Sequence, residues 1–157
     1  HVSSNSTTQN ELIRSIVGTT SLVANTLSEG RTIRLQATGY YNSPATPGTM
    51  IMNVRLGGAT ILSTSNQTVT ANASTFGWNL ESLITCQTTG GAGTVFAQGR
   101  FDNNSSAIAM NRWQMVGSSA VTLNTTGANI VELTCQWGTA NAASQLFCTQ
   151  AIGELLN

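Results

Sequence analysis

The stretch Trp78-Asn-Leu-Glu-Ser-Leu-Ile-Thr-Cys-Gln-Thr-Thr-Gly-Gly-Ala-Gly-Thr-Val-Phe-Ala-Gln-Gly-Arg-Phe101 decides the fold. Its period is two. Trp78, Leu80, Ser82, Ile84 and Cys86 fall on one face, and Asn79, Glu81, Leu83, Thr85 and Gln87 on the other. Gly90-Gly-Ala-Gly93 then supplies a turn, and Val95, Ala97, Gly99 and Phe101 alternate with Phe96, Gln98 and Arg100 on the way back. Alternation of this kind marks a half-buried strand, and two such runs around a glycine turn mark a β-hairpin.

The same period extends outward in both directions. Ile33, Leu35, Ala37 and Tyr41 share a face in Arg31–Asn42. Asn42-Ser-Pro-Ala-Thr-Pro-Gly48 is a turn cluster whose prolines would break a central strand. Met50, Met52, Val54 and Leu56 alternate up to Gly57-Gly58, which points to a hairpin into Ala59–Leu62. Gln67–Ala71 and Ala120–Asn124 are short candidate strands. Asp102–Ser106 reads as a loop, and Ala107–Val116 as a strand or an irregular edge.

Val131, Leu133, Cys135 and Trp137 alternate in Ile130–Trp137, and Gly138–Ser144 is a small-residue loop. The last strand, Gln145–Leu156, carries Leu146, Cys148 and Ile152 on one side and Phe147 and Leu155 on the other. Glu11–Val17 reads as two helical turns or a strand; Gly18-Thr-Thr and Ser21-Leu-Val-Ala favour β, so a first strand is expected here, paired with the C-terminal strand or a neighbour. Residues 1–20 form a polar N-terminal arm, a candidate attachment segment whose first nine residues need a partner to become ordered. Residues 21–157 form the folded domain.

Eight to ten strands with turns between them and no amphipathic helix predict an all-β antiparallel sandwich. Eight main strands on two sheets suit a jelly roll better than an immunoglobulin fold, whose Cys…Trp…Cys spacing is absent. An up-and-down barrel is the runner-up.

Composition narrows function. Only 8% of the 157 residues are charged, against about 25% in an ordinary soluble domain. There is no lysine, six arginines balance six acids, and 24 Thr, 16 Ser and 15 Asn stand in place of charge. A neutral chain with scattered arginines lacks the cationic footprint of a nucleic-acid binder. No run approaches the roughly 20 apolar residues of a membrane-spanning helix, and no signal peptide is expected within these residues. The chain opens on His1 rather than Met, as a trimmed or processed chain would.

Chemistry is poorly provided for. His1 is the sole histidine and no lysine exists, so a serine or cysteine nucleophile has no internal base. Asp102 is the sole aspartate, which excludes Asp-rich cation loops. Cys86, Cys135 and Cys148 show no metal-ligand spacing and read as buried free thiols, with a disulfide open to one pair in an oxidising compartment. The six N-x-S/T sequons follow from composition. No catalytic, cofactor-binding or metal residue is expected. The enzyme class that still fits is a two-carboxylate glycosidase using Glu81 and Glu132, set against outward glutamates paired with Arg34, Arg55 or Arg100.

Trp78 and Trp137 are in phase with apolar neighbours and read as core. Trp113, between Arg112 and Gln114, is the best candidate for an exposed aromatic in a ligand site or subunit contact. The Tyr40-Tyr41 pair is a second candidate.

Ordinary monomers keep their surfaces and strand edges apart with charge, lysine above all. A chain without that device is expected to hide its faces in a symmetric homo-oligomer, a homotrimer in this reading.

Gly30-Arg-Thr-Ile-Arg-Leu-Gln-Ala-Thr-Gly-Tyr-Tyr41, Met52-Asn-Val-Arg-Leu-Gly-Gly58, Trp78-Asn-Leu-Glu81, Gly93-Thr-Val-Phe-Ala-Gln-Gly-Arg100 and Glu154-Leu-Leu-Asn157 together resemble structural proteins of tailed bacteriophages. The resemblance covers most of residues 30–157 and is weakest in 1–29. It implies a jelly-roll, tumour-necrosis-factor-like trimer on the virion surface. The roles it implies are capsid decoration (cement) protein, head fibre or tail-fibre tip, with the major capsid protein or other virion proteins as partners. It carries no active site. The expected function is a non-enzymatic decoration protein stabilising the head. The alternative is a fibre tip recognising host-surface glycans.

Overall fold

A computed structural model describes residues 2–4, 7–8, 10–11 and 21–157. Every regular element among them is a strand: β1 (Val2–Ser4), β2 (Asn10–Glu11), β3 (Ser21–Leu22), β4 (Thr32–Asn42), β5 (Thr49–Leu56), β6 (Ala59–Ser63), β7 (Gln67–Thr68), β8 (Phe76–Thr88), β9 (Gly93–Asn104), β10 (Met110–Val116), β11 (Val121–Leu123), β12 (Asn129–Trp137) and β13 (Gln145–Leu155). They form two antiparallel sheets. Sheet A runs β1-β13-β4-β8-β9-β10, with β11 also on β9, and sheet B runs β2-β12-β5-β6, with β3 on β12 and β7 on β5. The protein is a β-sandwich.

The alternating stripes meet between the sheets. Leu35, Tyr41, Leu80, Ile84 and Phe101 of sheet A face Met50, Met52, Leu56, Leu133 and Trp137 of sheet B, all at most 2% exposed. Each such side chain contributes ~1.5–3 kcal/mol by leaving water. Trp78 and Trp137 lie in this core, and Cys86, Cys135 and Cys148 are buried as thiols.

The turns follow from local chemistry. Gly57 (φ +57°) and Gly58 (φ +83°) link β5 to β6, and two successive positive φ values are the two-residue hairpin turn that glycine adopts without strain. The β8–β9 hairpin is in the register the alternation predicts, Leu80 opposite Phe101 and Ile84 opposite Ala97.

Two expectations are corrected. Asp102–Asn104 is not loop but the end of β9, paired with Met110–Arg112 of β10. The low strand preference of Asp and Asn is overridden because Arg112 meets Asp102 across the pair. Ile152 does not share a side with Leu146 and Cys148. A bulge between Cys148 and Gln150 advances the register, so Ile152 sits opposite Gln36 on the outer face, 54% exposed.

Of the predicted arm, β1 pairs with β13 and β2 with β12, so both sheets gain a short N-terminal strand. Residues 1, 5, 6, 9 and 12–20, which include most of the expected first strand, lie outside the described residues.

Burial raises the pKa of Cys148, and that of Cys86, where the charge of Glu29 adds to it. Burial likewise raises Tyr41. The thiolate is the reactive form, so the folded protein is expected to resist thiol reagents at pH 8 and to react fully once denatured. A group that holds its proton more tightly when folded lends stability below its unfolded pKa and loses it as pH rises through the folded value. Stability is therefore expected to fall from about pH 9 upward, read as Tm against pH. A flat profile to about pH 11 would contradict the burial of these groups.

Candidate interaction surface

The outer face of sheet A is built by the phase opposite to the core stripe. β13, β4, β8, β9 and β10 lie side by side, and register places Glu154, Arg34, Leu83, Gln98 and Val116 in one row across them. The next row is Ile152, Gln36, Glu81, Arg100 and Gln114, and the row beyond ends in Asn79, Asp102 and Arg112.

Six of the chain's charged residues are thus gathered on one face, three of each sign, and neighbours neutralise one another. Arg34 meets Glu154 at 3.1 Å, and Arg100 meets Glu81 at 3.1 Å and Asp102 at 3.8 Å. Arg112 donates to both oxygens of Asp102, at 2.8 and 3.1 Å. That hydrogen bonding, with the carboxylate charge behind it, raises the Arg112 pKa above its ordinary value. Gln36 donates to Glu81 at 3.4 Å. Where both partners are exposed, as in Arg34–Glu154, such a pair contributes little stability, whereas Asp102 is buried and depends on its arginines for a partner. The effect of these contacts is to leave a face whose charges, three of each sign, cancel in pairs.

Among these pairs stand exposed apolar side chains: Leu83, Met110, Val116 and Ile152. The dip between Leu83, Gln98, Arg100 and Gln114 is a shallow groove of about 270 Å³.

The aromatic candidates separate. Tyr41 is wholly buried, its hydroxyl donating to the Asn104 carbonyl at 2.5 Å, so it presents nothing to a ligand. Tyr40 is partly exposed on the outer face, stacked on Phe147 with ring centroids 4.4 Å apart. Trp113 points inward and is half-covered, stacked on Phe101 at 5.7 Å. The structure brings none of the three together with another.

Glu81 and Glu132 are not brought together either. Glu81 lies on the outer face of sheet A, whereas Glu132 lies on β12 of sheet B, buried beside Arg55 at 3.6 Å. Both alternate with core residues, so the carboxyls project from opposite sides of the sandwich, further apart than the ~10 Å that separates packed sheets. They share no cleft of the kind a glycosidase needs. Among the described residues no group of three or more His, Cys, Asp or Glu could hold a metal ion.

Strand phase set Glu81 and Glu132 opposite the core with Arg34, Arg55 and Arg100 as the partners on offer, and register decided that Glu81 meets Arg100 and Glu132 meets Arg55. The Arg112–Asp102 fork was hidden because Asp102-Asn-Asn reads as a turn. Comparison with known proteins adds no relative: no family model matches the chain, and no curated protein or solved structure matches it.

Proposed function

We propose that the chain is a non-enzymatic structural protein of a bacteriophage particle, a capsid decoration protein that assembles as a homotrimer on the virion surface. The observation that carries this reading is the outer face of sheet A: five long strands wide, internally neutralised and dotted with exposed Leu83, Val116 and Ile152. Such a face loses little by desolvation of unpaired charge and gains by burial of apolar area when it meets another protein. Strand order supports the jelly-roll form. β4, β8 and β13 share one sheet, β5, β6 and β12 share the other, and from β4 onward the chain passes between sheets from β4 to β5, from β7 to β8, from β11 to β12 and from β12 to β13. On this scheme β9 and β10 are an added hairpin at one edge.

The test is mass in solution followed by co-sedimentation with phage heads stripped of their decoration protein. A species of three times 16.4 kDa that sediments with heads and raises their melting temperature is expected. A solitary chain at micromolar concentration that leaves heads untouched overturns the reading. Tyr40 stacked on Phe147 favours a second role, a fibre tip that stacks host-surface sugar rings. Glycan-array binding lost in Tyr40→Ala would select it.

A further inference from the structure

We infer that β10 is a self-pairing edge, which joins two copies of this chain across a two-fold axis through Trp113. Sheet A ends at β10 among the described residues. Exposed edges are usually blunted by proline, lysine, a bulge or brevity. Elsewhere the molecule uses such devices: β1 has three residues, β2 and β3 two each, and β6 is bulged against β5. β10 uses none. It is seven residues long, runs in unbroken register on β9, and its one charge, Arg112, is neutralised by Asp102.

Hydrogen-bond phase shows which groups are free. Ser105 N–H donates to the Ala109 carbonyl at 2.9 Å, and Gly117 N–H donates to the Ala97 carbonyl at 3.1 Å. Between those points every second residue of β10 bonds to β9, so the amides and carbonyls of Met110, Arg112, Gln114 and Val116 point away from the sheet.

The side chains of these four select the partner and the register. With Trp113 opposite its own copy, Met110 faces Val116 of the other copy, and Arg112 faces Gln114. Both apolar members of the first pair are 59% exposed in the single chain. No like charges meet, and every outward amide and carbonyl of both strands finds a partner. Sliding by two residues one way sets Arg112 against Arg112, which is unfavourable. Sliding the other way sets Arg112 against Val116. Either shift leaves one edge residue of each copy unpaired. The favoured register also covers the open side of Trp113 with its symmetry mate, at the close spacing of a non-hydrogen-bonded pair.

This contact uses an edge, whereas the proposed trimer uses sheet faces, so neither depends on the other. The test mixes two full-length variants, Met110→Cys and Val116→Cys, under oxidised glutathione and reads disulfide-linked dimer on a non-reducing gel. In the inferred register the two cysteines face each other at about 5.5 Å between Cα atoms, within disulfide range. Cysteines at 110 of both copies are six residues apart along the strands, about 20 Å. The mixture is expected to give dimer at least tenfold above either variant alone, and wild type none. Gln114→Pro, which removes an amide facing away from β9, is expected to abolish the link. Dimer no greater in the mixture than in the single variants overturns the inference, as does a link that survives in folded Gln114→Pro protein. If that variant does not fold, the cysteine pair decides alone. A trimer mass without the mixed disulfide sinks only the edge contact. The disulfide without a trimer sinks only the proposed assembly.

Discussion

Gly39→Ala is expected to destabilise the protein by ~3 kcal/mol or more, at or beyond the top of the usual range for overpacking. Gly39 lies on β4 between Cys148 of β13 and Trp78 of β8. The Trp78 indole crosses it to donate from Nε1 to the Phe147 carbonyl at 3.1 Å. A methyl group at residue 39 would stand 1.8 Å from that carbonyl oxygen, 2.8 Å from its carbon and 3.0 Å from the indole nitrogen. The first two are backbone atoms of a paired strand and cannot swing aside. Relief would require β13 to shift near its bulge or Trp78 to leave the core. Guanidinium unfolding followed by tryptophan fluorescence reads the effect. A midpoint within error of wild type would mean that β13 does not approach β4 as described.

Phe101→Ala should be almost as damaging, by ~3–5 kcal/mol, the usual range for removing a buried aromatic ring. The ring is fully buried, with Trp78 at 6.1 Å on one side and Trp113 at 5.7 Å on the other. Its loss leaves a void that two rigid indoles cannot close by small rotations. It also removes the surface on which Trp113 rests, so near-ultraviolet circular dichroism from the tryptophans should weaken together with stability. Phe101→Leu keeps part of the volume and should cost less than the alanine variant. A loss below about 1 kcal/mol in Phe101→Ala would show that the three-ring stack contributes little to the core.

Much of the sandwich is legible in the sequence. The stripes Ile33–Tyr41, Met50–Leu56, Trp78–Cys86 and Val131–Trp137 became the core because a strand sends successive side chains to opposite faces. The Gly57-Gly58 and Gly90–Gly93 turns were readable because positive φ leaves glycine as the easiest choice. Trp78 and Trp137 were placed correctly by phase alone. Asp102–Asn104 was not legible, since local preference favours a turn there and the arginine that makes it a strand lies ten residues on. Ile152 was misplaced because one bulged residue reverses every later side chain, and a bulge leaves no mark in alternation.

The candidate surface divides in the same way. That Glu81 and Arg100 would face outward follows from phase, but Trp113, chosen as the exposed aromatic, turns inward onto Phe101. Its polar neighbours Arg112 and Gln114 told of the opposite face, not of its own.

Alternation and turn chemistry, written into the chain residue by residue, determined by themselves that this protein is built of antiparallel strands with one greasy and one polar side. Only the tertiary structure decided which strands became neighbours, which six charges met on one face, and that β10 was left at the rim. Those outcomes depend on pairing between residues far apart in the chain, where register, bulges and sheet order add information that no local pattern contains.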